Sequence, residues 1–267
     1  MNNIFRNYDN APIAVKNNYM KQRKYQSLDY VLDMHKKYHT FTKKIAIWDA
    51  INMLDNFVDL SDPDITLPNS HHLFQTAEAM KSDGLADWMQ LVGLLHDLGK
   101  MIYIKGCDKD GTSMEEQWGI VGDTFLVGCV IPNTIVYNEF NDMNIEHQIY
   151  KDKPNGKNGI YANGCGLDNC YASYGHDEYL YQVLKYNNVK IPNEGLKIIR
   201  YHSMYVWHRE NEYEELMNNE DREIKKWVKL FNEYDLYSKE NKPINKEELK
   251  EYYMPIIEKY CGTELYF

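Results

Sequence analysis

Two polar side chains interrupt the most apolar stretch of the sequence. Residues 85–102 carry apolar side chains around almost the whole circumference of a helix, which is typical of a helix buried on all sides. His96 and Asp97 lie in the middle of this stretch. Burying an ionised carboxylate is costly unless a partner neutralises it. The sequence therefore predicts a helical core with either a metal ion or a salt bridge at Asp97.

Helical periodicity dominates the rest of the chain as well. Asn69 or Ser70 is placed to cap one of the predicted helices, and Asn245 followed by Glu248 resembles a capping box. The predicted helices cover residues 25–38, 43–58, 71–82, 85–102, 175–187, 193–207, 220–237 and 246–260.

Three segments lack helical periodicity. Residues 106–118 and 151–170 are rich in glycine and polar residues and are predicted to be loops. Residues 121–137 are rich in valine and isoleucine and predict either a short strand or an irregular segment. We therefore expect an all-α fold, a single helical bundle over residues 1–267 with an irregular middle segment.

Charge and composition exclude several classes of partner. The formal net charge is -10 and no basic stripe is present, so nucleic acids and anionic membranes are poor partners. No secretory signal and no apolar run of the ~20 residues needed for a membrane helix is found. The 5 cysteines do not form a disulfide framework, and Cys165 and Cys170 alone are a weak zinc motif. We expect a cytoplasmic protein, and the sequence leaves its protein partners unknown.

Further histidines and a second aspartate occur on other predicted helices, each among apolar or aromatic neighbours. Histidine and aspartate side chains on several helices can converge inside a bundle, where dinuclear metal sites are typically built. The residues that could converge are His72, His96, Asp97, His176, His202 and Asp235.

The order of these residues is that of the HD-domain metalloproteins, and longer motifs are more specific. They closely resemble those of the myo-inositol oxygenase family, and the similarity covers nearly the whole chain. The motifs are Leu67-Pro68-Asn69-Ser70-His71-His72-Leu73-Phe74-Gln75-Thr76-Ala77-Glu78, Val92-Gly93-Leu94-Leu95-His96-Asp97-Leu98-Gly99-Lys100, Val121-Gly122-Asp123-Thr124-Phe125, Gly175-His176-Asp177-Glu178-Tyr179 and His202-Ser203-Met204-Tyr205-Val206-Trp207-His208.

This resemblance implies an HD-type helical bundle that cleaves the ring of myo-inositol with O2 to give D-glucuronate. It implies two iron ions per chain, as a mixed-valent Fe(II)/Fe(III) pair, with O2 as co-substrate. The implied ligands are Asp97 as a bridge between the irons, His72, His96 and Asp235 on one iron, and His176 and His202 on the other.

The resemblance also implies a set of substrate contacts. Lys100, one helical turn after His96, would polarise or deprotonate the metal-bound hydroxyl and is the implied catalytic residue. Without the resemblance, a lysine near a helix C-terminus that offsets the helix dipole is the favoured interpretation of Lys100. The implied substrate-binding residues are Arg6, Asp59, Lys100, Gly122, Asp123, His202, Ser203 and Lys239.

Some positions depart from the family pattern or allow two interpretations. His71 stands where the family has an aromatic residue, and we assign the ligand to His72. Asp177 forms a second His-Asp pair, which we expect to be structural or to lie behind the ligands. Tyr19 is either part of a segment that closes over the site or a core residue. The loop over 106–118 is longer than in the family.

Two other functions use the same residues. An HD-type phosphohydrolase would activate a water at the metals and bind phosphate through Lys100, Lys239 and Arg6. A polyol- or metal-binding protein without turnover is the non-enzymatic alternative, which the complete ligand set and Lys100 disfavour.

Overall fold

The computed structural model describes residues 8–63, 68–237 and 245–267. Within these ranges the chain folds into α-helices joined by 3₁₀ turns and loops, with one pair of short strands, so the predicted all-α class is confirmed. The strands are β1 (Lys44–Ala46) and β2 (Glu264–Tyr266). The helices are α1 (Ile13–Tyr25), α2 (Leu28–Tyr38), α3 (Ile47–Met53), α4 (Asn69–Ser82), α5 (Asp87–Leu95), α6 (Ile145–Tyr150), α7 (His176–Tyr186), α8 (Asn193–Tyr201), α9 (Tyr205–His208), α10 (Asn219–Tyr237) and α11 (Lys246–Cys261).

Helix α5 is the central element of the core. It contacts α4, α8 and α11, and its residues from Met89 to Leu95 are all buried. Helices α7 and α8 pack on each other, and α10 closes over both α4 and α8. A helix that is apolar on all sides can bury its whole surface only when other helices enclose it in this way. Among the described residues, no helix has both the length and the apolar character of a membrane-spanning segment.

Two predicted helices are broken where polar residues turn inward. The predicted helix over 85–102 ends at Leu95 and resumes as a 3₁₀ segment over 98–104. The predicted helix over 193–207 ends at Tyr201, and α9 starts at Tyr205. In both cases the residue that follows the helix is a histidine, His96 or His202.

Other differences arise from contacts that periodicity does not encode. Helices α1 and α6 were not predicted. The predicted helix over 43–58 contains β1, α3 and a 3₁₀ turn, because β1 pairs antiparallel with β2 at the other end of the chain, Lys44 opposite Tyr266. The segment over 121–137 is irregular, with an isolated bridge between Leu126 and Ala172. Asn245 caps α11 through Glu248 N, as the capping box predicts.

Gly99 permits the approach that brings two parts of the core together. A Cβ atom on Gly99 would lie 1.9 Å from the carbonyl oxygen of His176. Any larger residue would therefore push the 3₁₀ segment away from the start of α7. This contact places Asp97 beside His176.

Candidate metal and substrate site

Six side chains from five helices and their ends meet inside the core. None of them is more than 8% exposed. They are the six residues that the sequence predicts as metal ligands, and the structure brings all of them together. Helix α4 provides His72, the end of α5 provides His96 and Asp97, the first residue of α7 is His176, the end of α8 provides His202, and α10 provides Asp235.

The first group of donors is centred on Asp235. His72 Nε2 lies 2.8 Å from Asp235 Oδ1, and His96 Nε2 lies 3.2 Å from the same oxygen. These three residues have donor atoms within 4.8 Å of one another, which is close enough to hold a single ion.

The second group is formed by two histidines from α7 and α8. His176 Nε2 and His202 Nε2 are 3.1 Å apart. Asp97 Oδ1 lies 3.1 Å from His176 Nε2 and 3.7 Å from His202 Nε2.

Asp97 lies between the two groups. Its Oδ1 faces His176 and His202, while its Oδ2 is 3.7 Å from His96 Nε2 in the first group. A carboxylate with one oxygen toward each group is suited to bridge two cations ~3.5–4 Å apart.

Backbone carbonyls fix the orientation of three site histidines. His96 Nδ1 bonds Gly93 O, His176 Nδ1 bonds Ile120 O, and His202 Nδ1 bonds Ile199 O, all at 2.7–2.8 Å. A carbonyl only accepts, so each Nδ1 must donate and each neutral ring presents its Nε2 lone pair to the site. This arrangement is characteristic of histidine ligands.

These tautomers leave two lone pairs facing each other. The Nε2 atoms of His176 and His202 are 3.1 Å apart and neither carries a proton when both Nδ1 atoms donate. Two opposed lone pairs repel unless a cation accepts both. The donor set of imidazole and carboxylate also suits iron. The residues present therefore fit a pair of metal ions.

The site carboxylates are held as anions. Burial alone would raise the pKa of Asp97, but the Lys100 ammonium holds it well below its usual range. Burial also opposes ionisation of Asp235, yet the hydrogen bond from His72 keeps its pKa well below its usual range. Two buried anions and several neutral donors make the site attractive to cations.

Lys100 is held by three acceptors beside the metal ligands. Its Nζ donates to Asp59 Oδ2 (2.7 Å), Asn69 Oδ1 (2.7 Å) and Asp97 Oδ2 (2.8 Å), which uses all three N–H bonds of the ammonium. Burial would lower the pKa of Lys100, but Asp59 and Asp97 raise it above its usual value. Lys100 is therefore a cation that is held in place and not a mobile surface lysine.

Asn69 is a site residue that the sequence analysis missed. Its Nδ2 donates to Asp97 Oδ2 at 3.0 Å while its Oδ1 accepts from Lys100. The predicted capping role of Asn69 or Ser70 is wrong, because Pro68 is the N-cap residue and no side chain caps α4. Asn69 is instead the first residue of the helix, and its side chain turns into the site.

A cavity opens onto the donor atoms and contains most of the predicted substrate contacts. Gly122 has a φ of +121°, a conformation that favours glycine. The predicted contacts Arg6 and Lys239 lie outside the described residues. The predicted contacts that line the cavity are Asp59, Lys100, Gly122, Asp123, His202 and Ser203, and polar residues that were not predicted are Ser61, Asp62, Asn69 and Tyr205.

Tyrosines cover one side of this cavity. Tyr19 is 1% exposed, and its hydroxyl donates to Asp123 Oδ1 at 3.0 Å. The hydroxyl of Tyr8 lies 3.0 Å from that of Tyr19, and both tyrosines line the cavity. Tyr19 is thus both a core residue and part of the cavity wall, so its two predicted roles are compatible.

The structure distinguishes the roles of His71 and Asp177, the two positions that the sequence left ambiguous. His71 belongs to neither donor group found among the described residues, whereas His72 contacts Asp235. Asp177 accepts from Thr124 Oγ1 (2.9 Å) and from the backbone N of Glu178 (3.0 Å), so it ties α7 to the turn after Asp123.

Comparison with known proteins identifies the family. The family model described as myo-inositol oxygenase matches residues 13–267. The chain is 45% identical over 246 residues to "Inositol oxygenase 1" of Arabidopsis thaliana, covering 90% of this chain and 76% of that protein. It is 41% identical over 268 residues to "Inositol oxygenase" of Danio rerio, covering 96% and 91%. The converging histidines, aspartates and lysine lie within this matched region, and the chain belongs to the myo-inositol oxygenase family.

Proposed function

We propose that this chain is an oxidoreductase that cleaves the ring of myo-inositol with O2 to give D-glucuronate, at a non-haem di-iron centre. The position of the Asp97 carboxylate between two groups of histidines carries this proposal, because it is the arrangement that two adjacent metal ions require. The relatives, which are named inositol oxygenases, support myo-inositol as the substrate.

The irons would be divided between the two donor groups. His72, His96 and Asp235 would hold one, His176 and His202 would hold the other, and Asp97 would bridge them. With only His176, His202 and the bridging Asp97 as protein donors, the second iron would leave room for two neighbouring hydroxyls of the substrate. A mixed-valent Fe(II)/Fe(III) pair supplies O2 activation and Lewis acidity when it is bound.

The residues around the cavity suit a neutral polyol. Asp59 and Asp123 can accept hydrogen bonds from ring hydroxyls, and Ser203 can donate or accept. Lys100 Nζ would exchange one of its three acceptors for a substrate oxygen and so stabilise negative charge that develops there. Tyr8 and Tyr19 would limit the access of water, and Arg6 and Lys239 would add further substrate contacts.

A phosphohydrolase would need a different cavity. Besides the metal ligands, the described lining contains three aspartates, Asp59, Asp62 and Asp123, and a single lysine, Lys100. Lys100 is already paired with Asp59 and Asp97, so the described lining offers a phosphate no unpaired side-chain cation, and the relatives are inositol oxygenases by name. The HD-type phosphohydrolase is therefore not favoured, and the relatives equally disfavour a binding protein without turnover.

The remaining parts of the proposal follow from family and composition. We take residues 1–267 as one HD-type domain that works in the cytoplasm without nucleic acid or membrane partners. The net charge of -10 supports the exclusion of polyanions.

The reaction is tested directly with metal-free protein. The chain is loaded with Fe(II) without oxygen and then mixed with myo-inositol and ¹⁸O2. We expect D-glucuronate that carries the label, formed in step with O2 consumption. Unchanged inositol, together with hydrolysis of a phosphomonoester that needs no O2, would contradict the proposal.

A matched pair of variants tests the bridge. Asp97→Asn should abolish turnover, because a neutral amide bridges two cations poorly. Asp177→Asn replaces the carboxylate of the neighbouring His-Asp pair, which contacts Thr124 and not the donors, and should keep most turnover. Equal losses of turnover in the two variants would show that the choice of Asp97 over Asp177 as the bridging aspartate is wrong.

A further inference from the structure

Two thiols lie in contact in a loop outside the metal site. Cys165 Sγ and Cys170 Sγ are 3.6 Å apart, with Cys170 5% exposed and Cys165 partly exposed. All the cysteines are unbridged, and no group of metal donors in the described ranges includes these thiols. The pair therefore gains no support as a zinc site, whereas two thiols in contact are well placed to form a disulfide.

The backbone of this loop is fixed to the segment before α10 and to the first turn of α10. Gly166 has a φ of +86°, and a Cβ there would lie 2.3 Å from Asn218 Nδ2, so the loop follows a path that only glycine allows. The thiols consequently stay close to each other at little entropic cost. Three N–H groups anchor the loop: Gly164 to Glu215 O (2.8 Å), Gly166 to Leu216 O (2.8 Å) and Leu167 to Asp221 Oδ2 (3.0 Å).

The same loop holds the end of α8. Asp168 lies between the two cysteines, and its carboxylate accepts from Lys197, from Arg200 Nη1 (2.9 Å) and from Tyr201 OH (2.8 Å). These three donors belong to the last two turns of α8, and the residue that follows them is His202. Asp168 thus links the thiol pair to the position of a site histidine.

We propose that Cys165 and Cys170 form a reversible disulfide whose closure displaces Asp168 and loosens the end of α8 at His202. The sulfur atoms must approach from 3.6 Å to about 2.05 Å. Because the backbone of Gly164, Gly166 and Leu167 is anchored to residues 215–221, the movement falls on residues 168–170. The functional part of this inference, weaker metal binding and slower turnover, rests on the proposed function.

A small-molecule disulfide is a sufficient oxidant. The Cys165 thiolate attacks one sulfur of the oxidant and forms a mixed disulfide, releasing one thiolate. The Cys170 thiolate then attacks Cys165 sulfur and releases the second thiolate. Two protein thiols are oxidised, and the two thiolates released from the oxidant take up the two protons that the protein thiols lose, so the oxidant ends as two thiols. Burial raises the pKa of the Cys170 thiol, which agrees with the more exposed Cys165 reacting first.

The test uses the full chain, loaded with iron and treated anaerobically with oxidised glutathione. Free thiols are alkylated and the protein is cleaved before Asp168 without reduction. We expect fragments that contain Cys165 and Cys170 to remain linked until dithiothreitol is added. Iron retention against a chelator and turnover should fall several-fold on oxidation and recover on reduction.

Three variants make the result specific. Cys165→Ser should neither cross-link nor lose iron, while Cys261→Ser, which alters a partly exposed cysteine outside the loop, should respond like the unaltered chain. Asp168→Asn should weaken iron retention without oxidation, because it removes the charge that holds α8. Absence of the link, or a link that leaves iron retention unchanged, would overturn the inference. Cross-linking and iron retention are measured without turnover, so an inactive reduced protein would count against the proposed function alone.

Discussion

Asn69 shows how a single residue can carry a role that its sequence context conceals. An asparagine just before an apolar helical pattern normally indicates a cap. Here Pro68 takes the N-cap position, so the amide is available to join Lys100 to Asp97. The orientation of the amide follows from its partners, because only its oxygen can face an ammonium and only its nitrogen can face a carboxylate.

We predict that Asn69→Ala keeps iron but lowers turnover. Lys100 would lose one of three acceptors and Asp97 would lose a donor. Lys100→Ala should cost about 10²–10⁴-fold, the usual range for acid–base groups. Adding Asn69→Ala to Lys100→Ala should change little more, because residues that act as a unit are not additive.

The matched control is Asn141→Ala. Asn141 is equally buried but donates only to Ile131 O and Pro132 O, so this variant should lose stability and not turnover. Additive effects of Asn69→Ala and Lys100→Ala, or equal turnover losses at Asn69 and Asn141, would show that Asn69 has only a structural role.

The histidine doublet gives a second prediction. His71 and His72 both lie in the first turn of α4, so their side chains point about 100° apart and only one can face a given metal. His72 contacts Asp235, so His72→Phe should lose the iron that His96 and Asp235 also hold. His71→Phe should keep both iron and turnover. Iron content of the two variants decides the assignment, and the reverse pattern would refute it.

At the scale of elements, the contact at Gly99 fixes the distance between Asp97 and α7. We predict that Gly99→Ala destabilises the fold by about 1–3 kcal/mol, because the new methyl group would overlap a backbone oxygen. It should also reduce iron retention by moving His176. Gly84→Ala is the control: its Cβ meets nothing within 4 Å, so only the positive φ of +71° is penalised. Urea unfolding measures the loss of stability in each variant, and iron content measures the effect on the metal site. Equal iron retention in Gly99→Ala and Gly84→Ala would contradict the prediction.

The loop over 106–118 is less of a surface loop than its composition indicates. Asp110 is buried, and its carboxylate accepts from Lys37 Nζ (2.5 Å), Tyr38 OH (2.8 Å) and Thr112 Oγ1 (2.5 Å). Polar residues do not reveal from sequence alone whether they are solvated or bonded inside the fold. This loop is therefore fastened to α2.

This attachment predicts a dependence of stability on pH. Burial opposes ionisation of Asp110, but the hydrogen bonds from Lys37, Thr112 and Tyr38 together outweigh it and lower the pKa below the ordinary value of 3.8. The stabilisation is complete above that value and is lost as the pH falls through the lower pKa of the folded state. Asp110→Asn should reduce the free energy of unfolding at neutral pH and flatten its loss in acid. Asp108 is exposed, so Asp108→Asn should leave the dependence of unfolding free energy on pH unchanged. Identical pH profiles for the two variants would show that Asp110 is not the source of the acid sensitivity.

At the scale of the whole molecule, the sequence predicted the helical class, the buried central helix and the six residues that converge. Those predictions depend on apolar periodicity and on polar residues placed where apolar ones are expected. Apolar periodicity did not predict the helix breaks after Leu95 and Tyr201, nor the pairing of β1 with β2. Breaks of this kind depend on where a side chain finds its partners, and strand pairing depends on residues far apart in the chain.

The central claim is that Asp97 holds two metal ions together, and metal content with magnetic spectroscopy tests it most directly. The iron-loaded chain should contain about two irons per molecule, spin-coupled through the shared carboxylate. Asp97→Asn should lower the iron content and abolish the coupling, while Asp177→Asn should keep both. One tightly bound zinc per chain, or two irons without magnetic coupling, would contradict the account.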